Sequence, residues 1–219
     1  SERIGAILIH PDSSDVVYVG VLGHLWGPNE ERGVYKTRDG GKTWERILYV
    51  DENTGVASMD MDPADGNMLY VGMWEFRRKA YTFTSGGEGS NLYRTRDGGK
   101  NWDILREGLP EGKLGRITVA VAKSRPSTVY AIVEAEKTAL YRSDDMGYHW
   151  RKVNDSNSVA MRPFYFGHLY VDPVDHDTVY KPGFSYAVSR DGGKSFSGAG
   201  GGFSASTHSD LSLIHISEP

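Results

Sequence analysis

The sequence predicts an all-β chain built from repeated units of short antiparallel strands. Three observations lead there. An octapeptide recurs four times in order, at Thr37–Trp44, Thr95–Trp102, Ser143–Trp150 and Ser189–Phe196, and its aspartates Asp39, Asp97, Asp145 and Asp191 stand 58, 48 and 46 residues apart. A Tyr-bearing element precedes each copy, at Val17-Tyr18, Leu69-Tyr70, Val129-Tyr130 and Val179-Tyr180. Ahead of that lies an alternating apolar run, Ile7–Pro11, Met59–Pro63, Val119–Lys123 and Leu169–Pro173, closed by Pro in all but the third. Self-similarity at a fixed order and near-constant period marks a repeat architecture.

Each unit reads as four strands. The first is the alternating run, and the second carries the Tyr after a turn rich in Pro, Asp or Ser. The third covers Gly33–Lys36, Leu92–Arg94 or Leu140–Arg142, and the fourth starts at the aromatic residue, as in Trp44–Tyr49. Four strands every ~50 residues make a β-propeller blade, so the chain is expected to be a fragment of about four four-stranded antiparallel blades from a larger ring. Helical periodicity is absent apart from a weak trace near Arg77. Within each octapeptide the Asp is expected to accept backbone N–H bonds across the turn between third and fourth strands. The closing Trp44, Trp102, Trp150 and Phe196 are expected to bury their rings between neighbouring sheets, worth roughly 1.5–3 kcal/mol each. Four aspartates on separate blades cannot converge on one ion, so no metal role is assigned to them.

Composition narrows the function classes. The 25 Lys+Arg against 29 Asp+Glu give a net charge of -4, which leaves no basic excess for a generic nucleic-acid binder. No apolar run reaches the ~20 residues of a membrane-spanning helix, so no membrane insertion is expected in this segment. With no cysteine, disulfides, Cys-ligated zinc and thiol catalysis are excluded, and no cofactor is expected. The 27 glycines and 13 tyrosines suit tight turns and strands. No G-x-S-x-G elbow, H-E-x-x-H pattern or phosphate loop occurs, and the Gly198–Gly202 run reads as a linker.

The octapeptides resemble the Asp-box, or bacterial neuraminidase repeat, of sialidases, xyloglucanases, the photosystem II stability factor and sortilin. Longer strings, Gly23–Pro28, Trp74–Arg78, Gly108–Gly112 and Gly115–Ile117, are similar to bacterial sortilin-like propellers. That resemblance implies a ring of about ten blades that binds peptide or protein in its tunnel, an extracytoplasmic or secreted location, and no hydrolysis. It runs from about residue 3 to Asp210, so residues 1–210 are expected to form the partial propeller. Residues 211–219 depart from the pattern and resemble translated sequencing-adapter read-through, a non-native tail. A start without Met and a stop inside a new unit are expected of a fragment.

Strand alternation puts the first-to-second and third-to-fourth turns on one rim and the longer, more individual loops on the other, where binding residues usually sit. The loop rim is expected to carry Trp26 and Trp74, with His24, Arg77, Arg78 and Tyr81 nearby, an aromatic and cationic set suited to carboxylates or sugar stacking. His208 and Asp210, two apart on a first strand, would share one side. The favoured function is a non-catalytic scaffold for peptide, protein or polysaccharide. The alternative is a glycoside hydrolase, xyloglucanase-like rather than sialidase-like because the Phe/Tyr-Arg-Ile-Pro signature is missing. It would need two carboxylates from Asp51, Glu52, Glu75, Glu134, Asp155 and Asp210.

Overall fold

The computed structural model describes residues 3–156, 159, 167–183 and 186–198. Four antiparallel sheets follow one another along the chain. The first contains β1 (Ile4–His10), β2 (Ser13–Val21), β3 (Gly33–Thr37) and β4 (Glu45–Leu48), paired in that order. The second contains β5 (Thr54–Asp62), β6 (Asp65–Lys79), β8 (Leu92–Thr95) and β9 (Asp103–Leu105), with β7 (Thr82–Ser85) paired to the far half of β6. The third is β10 (Ile117–Val121), β11 (Val129–Val133), β12 (Ala139–Ser143) and β13 (Arg151–Asn154). The fourth is β14 (Tyr170–Val171), β15 (Val179–Lys181), β16 (Ala187–Ser189) and β17 (Ser197–Gly198). These are the four blades of the expected β-propeller fragment. The trace of helix near Arg77 is absent: Arg77 lies in β6, paired with Thr84 of β7.

The middle strands of the third blade are buried on both faces, as a strand with a neighbouring sheet on either side requires. Every residue of β11 and β12 is buried, between Val121–Ile117 on one side and Arg151–Asn154 on the other. The octapeptide turn joins third and fourth strands in all four blades, and it is tied to the first turn of its own blade. Gly40 N donates to Asp15 O, Gly98 N to Asn67 O, Met146 N to Ser127 O and Gly192 N to Asp177 O, all at 2.9–3.0 Å. Both turns therefore share one rim. Met146 holds φ at 61° where the other boxes have Gly, a left-handed geometry that costs a side-chain-bearing residue some strain.

The box aromatics pack backward. Trp102 sits among first-blade side chains and donates its indole N–H to Ile47 O at 3.0 Å. Trp150 is buried with Tyr70, Leu92 and Leu105 of the second blade, and Phe196 packs on Tyr130 and Leu140 of the third. Trp44 departs from the expected burial. It is 45% exposed and shares a surface hollow with exposed Ile4, because the described residues place no sheet in front of the first blade, whose Ile7 and Ile9 are exposed as well.

Cations reach forward. Lys36, Arg94 and Arg142 are buried at the third strand of their blades. Lys36 Nζ donates to Gly98 O at 3.0 Å, and Arg94 donates to Met146 O at 2.6 Å, where Tyr70 Oη adds a bond of 2.9 Å. Arg142 pairs with Asp177 while Tyr130 Oη donates to His176 O at 2.9 Å. Each cation thus ties its blade to the turn rim of the next.

Removing the hydroxyl of Tyr70 leaves Met146 O with only Arg94. Tyr70→Phe is expected to cost about 1 kcal/mol, read from the urea midpoint at unchanged m-value. The exposed apolar face of the first blade should drive self-association. Sedimentation should show association that rises with concentration and is weakened by the double change Ile7→Lys and Ile9→Lys.

Candidate functional site

The turn rim is chemically closed. Asp39 accepts from the Thr43 hydroxyl at 2.6 Å, the Thr43 amide at 2.9 Å and the Thr37 hydroxyl at 2.7 Å. Asp97 repeats this with Asn101, Lys100 and Thr95; Asp145 with His149 and Ser143; Asp191 with Ser195 and Ser189. These donors hold the Asp39 carboxyl down at about 2, the Thr43 hydroxyl contributing most, and Asp191 likewise at about 2. At Asp145 partial burial pushes upward, but the His149 and Ser143 donors win and leave it near 2. Each box carboxylate is thus engaged by donors of its own octapeptide, which suits it to shaping the turn.

The opposite rim is built differently. Arg32 is fully buried and holds the 22–29 loop from within, its guanidinium donating to Leu22 O at 2.6 Å, His24 O at 2.8 Å and Gly27 O at 3.1 Å. Burial and the nearby Arg77 charge pull it down to about 10, so it stays cationic at neutral pH. Its Cζ lies 4.7 Å from the centre of the Phe76 ring, Phe76 stacks on Trp74 at 4.4 Å, and the Arg116 Cζ lies 5.4 Å from the centre of the Trp74 ring. One cation–aromatic stack therefore spans blades one to three. It is extended by Trp74 Nε1 donating to Ser85 Oγ at 3.0 Å, and Ser85 Oγ donating to Glu134 Oε2 at 2.6 Å.

This corrects the expected placement of Trp74. It does not ride an exposed loop; it is 3% exposed within β6 and works as a clamp. Trp26 is where the sequence places it, on a loop and 62% exposed. His24 is half-buried, and its carbonyl serves Arg32. Arg77 bonds the Asn53 side-chain carbonyl, and Arg78 lies 5.9 Å from the centre of the Phe83 ring. Tyr81 stands fully out at the tip of the β6–β7 hairpin, and Arg78 N donates to Leu25 O at 3.3 Å, joining hairpin to Trp26 loop. The structure so brings Trp26, Arg77, Arg78 and Tyr81 to one region. His208, Asp210 and residues 211–219 lie outside the described residues.

Among the carboxylates weighed for acid–base work, Asp155 is bound by Lys137 at 2.8 Å and Lys152 at 3.0 Å, which holds it near 2. Asp51 accepts from Asn53 N at 2.7 Å, and Glu52 is exposed. Glu75 and Glu134 flank one glycine-rich segment. Glu75 Oε2 accepts from Gly89 N at 2.9 Å, while Glu134 Oε2 accepts from Ser85 and, at 2.8 Å, from Arg116 N. A Cβ at Gly87 would collide with the Glu75 carboxylate and one at Gly115 with that of Glu134. A groove of about 640 Å³ on this rim is lined by Glu88, Ser90, Asn91, Arg106, Glu107 and Glu111 among others.

One carboxylate escaped the sequence reading. Asp60 of β5 is half-buried between blades two and three, accepting from Val121 N of β10 at 2.7 Å and Met61 N at 2.8 Å. Ser58 beside it accepts from Val119 N at 2.8 Å. The equivalent positions of the other first strands carry Leu8, Ala120 and Tyr170, so aligning the repeats singles out Asp60 as the one acid there. Burial pushes it up to about 6 against the pull of its two N–H donors.

Comparison with known proteins adds to the geometry. Residues 35–46 match the BNR/Asp-box repeat. The chain is 24% identical to an oligoxyloglucan-reducing end-specific xyloglucanase of Emericella nidulans, over 82% of this chain and 28% of the relative. Among solved structures it is similar to the GH74 xyloglucanase of Xanthomonas campestris, with a TM-score of 0.61, 18% identity, and coverage of 91% of this chain and 30% of that one. It is also similar to YCF48 bound to D1 peptide, with a TM-score of 0.52, 18% identity, and coverage of 88% and 51%. The chain thus spans under a third of either xyloglucanase. These likenesses support the Asp-box propeller fold.

The two kinds of buried or bonded carboxylate titrate in opposite senses. Asp60 is raised in the fold, so its contribution is full below the unfolded value of ~3.9 and is lost as pH rises through about 6. The box aspartates are lowered, so theirs is present above ~3.9 and lost as pH falls through about 2. The Tm should therefore rise as pH falls from 7 towards 5 and fall again below that, as the aspartates take up protons. Asp60→Asn should flatten the upper arm, at most about 3 kcal/mol, and leave the acid limb unchanged.

Proposed function

We propose that this chain is part of a glycan-processing β-propeller of the xyloglucanase type, acting on a β-linked polysaccharide at its loop rim. The observation that carries the proposal is the likeness to the Emericella nidulans xyloglucanase across 82% of the chain. The site supports it in two ways: the box carboxylates of the turn rim are engaged within their own turns, and the loop rim offers a groove lined by Glu88, Glu107 and Glu111. Hydrolysis of a glycosidic bond needs two carboxylates, one ionised and one able to give a proton. Glu75 and Glu134 are the candidate pair, held in place by Gly89 N and by Ser85 Oγ with Arg116 N, respectively. Peptide recognition of the sortilin kind is the second function, supported by the likeness to YCF48 bound to D1 peptide.

The test is calorimetric titration of xyloglucan oligosaccharides beside a reducing-sugar assay on wild type, Glu75→Gln and Glu134→Gln. Each variant should retain binding and lose turnover by about 10²-fold or more. Binding without turnover in the wild type would favour a recognition scaffold. No binding of any glycan would rule the proposal out.

A further inference from the structure

Among the described residues the β6–β7 hairpin has no counterpart in the other three blades, where second and third strands are joined by loops. It brings Ser85, the last residue of β7, opposite Phe76 of β6. From there the serine reaches into the third blade. Ser85 Oγ donates to Glu134 Oε2 at 2.6 Å, and Trp74 Nε1 donates to Ser85 Oγ at 3.0 Å. The ends of this chain fix its direction. An indole N–H can only donate, so Ser85 accepts from Trp74, and the single proton of its hydroxyl is left for the carboxylate. The indole is itself anchored, 3% exposed and stacked on Phe76 at 4.4 Å. Glu134 Oε2 takes a second bond, from Arg116 N at 2.8 Å, and a Cβ at Gly115 would come within 2.4 Å of the same oxygen. The half-buried carboxylate is thus seated against backbone, and among the described residues both of its donors fall on Oε2. Four residues beyond Ser85, Gly89 N donates to Glu75 Oε2 at 2.9 Å. One short segment, 85–89, therefore holds both candidate carboxylates.

We infer that Ser85 is a positioning residue for the proposed hydrolysis: its hydroxyl, aligned by the buried Trp74 indole, holds the Glu134 carboxylate of the next blade in the geometry for reaction. The inference rests on the proposed glycan function and goes beyond it by assigning work to a residue that acts through Glu134 and not on the sugar. A glutamate on a strand end has several rotatable bonds, and freezing them in advance spares that cost at the moment of reaction. Two donors on one oxygen do this, and they leave the other oxygen, Oε1, for a substrate. The hairpin then has a purpose. Extending β6 and returning through β7 is what carries a hydroxyl from blade two onto a carboxylate of blade three. The glycines that follow, Gly86, Gly87 and Gly89, let that return run close to the acids: a Cβ at Gly87 would lie 2.0 Å from Glu75 Oε2.

The experiment uses the intact chain and a neutral xyloglucan oligosaccharide, with rates taken per folded molecule because Ser85→Ala strands the Trp74 N–H and lowers stability. Ser85→Ala should lower kcat about tenfold and keep KM within about twofold, since the hydroxyl orients a reacting group and does not hold the sugar. Ser85→Thr keeps the hydroxyl and should restore kcat. Tyr70→Phe, which removes a hydroxyl from the turn rim, should leave both constants unchanged. A second readout needs no turnover: the indole N–H resonance of Trp74, followed by NMR. Glu134→Gln should move it in the wild-type background and leave it in place in the Ser85→Ala background, because the two groups are coupled through the hydroxyl. Turnover by Ser85→Ala equal to wild type, or an indole resonance that ignores Glu134→Gln, would overturn the positioning role and leave the glycan function standing. A rise in KM at unchanged kcat would also overturn it, in favour of sugar binding by Ser85. A wild type that hydrolyses no glycan would overturn the positioning role and the hydrolytic function together.

Discussion

A blade of this propeller is a sheet with two apolar faces, and it is stable only when the next blade is seated in register. The register is held at the turn rim by a cation that each third strand carries into the following blade. Lys36, Arg94 and Arg142 are all buried, and each ends on a polar atom of the next blade's turns: Gly98 O, Met146 O and Asp177. A buried charge left without such an acceptor is costly, so the alternative packings that would strand it are disfavoured. The acceptor carbonyls exist because the box turn points them outward, and that turn exists because its Asp accepts amide and hydroxyl donors from within the same octapeptide. Local turn chemistry and long-range blade order are thus one system.

The loop rim has a second clamp of different chemistry. Arg32, Phe76, Trp74 and Arg116 stack in sequence across three blades, cations outside and rings inside. A stack of that kind keeps the rim's inner edge rigid without using the hydrogen-bonding groups that face the groove. The division follows: one rim uses its box aspartates and buried cations to hold the blades together, and the other leaves Trp26, Tyr81 and a groove lined by Glu88, Glu107 and Glu111 open to a ligand. Asp60 sits apart from both, between innermost strands, where it and Ser58 satisfy amides of β10 that no neighbouring strand pairs.

Most of the scaffold was legible because it is written in local, repeated chemistry. Octapeptide, Tyr element and alternating run recur with enough spacing regularity to place the third and fourth strands and the box turns, while several first and second strands extend three residues or more beyond the runs that mark them. What repeats could not show was whatever occurs once. The β6–β7 hairpin sits in a stretch rich in Trp, Phe, Arg and Tyr that reads equally as a binding loop, and only its pairing partners reveal a strand that buries Trp74. Arg32 gives no sequence signal at all, since a charged residue before a strand is ordinarily solvated. Trp44 was misplaced for the opposite reason: its repeat position is that of a buried ring, but burial there depends on a sheet in front of the first blade.

The division of labour between the rims is the central claim, and hydrogen–deuterium exchange with and without a saturating glycan tests it most directly. Added protection should fall on the 22–32, 74–91 and 106–116 segments, with the four box turns unchanged. Protection concentrated at the box turns, or spread evenly along the chain, would contradict it.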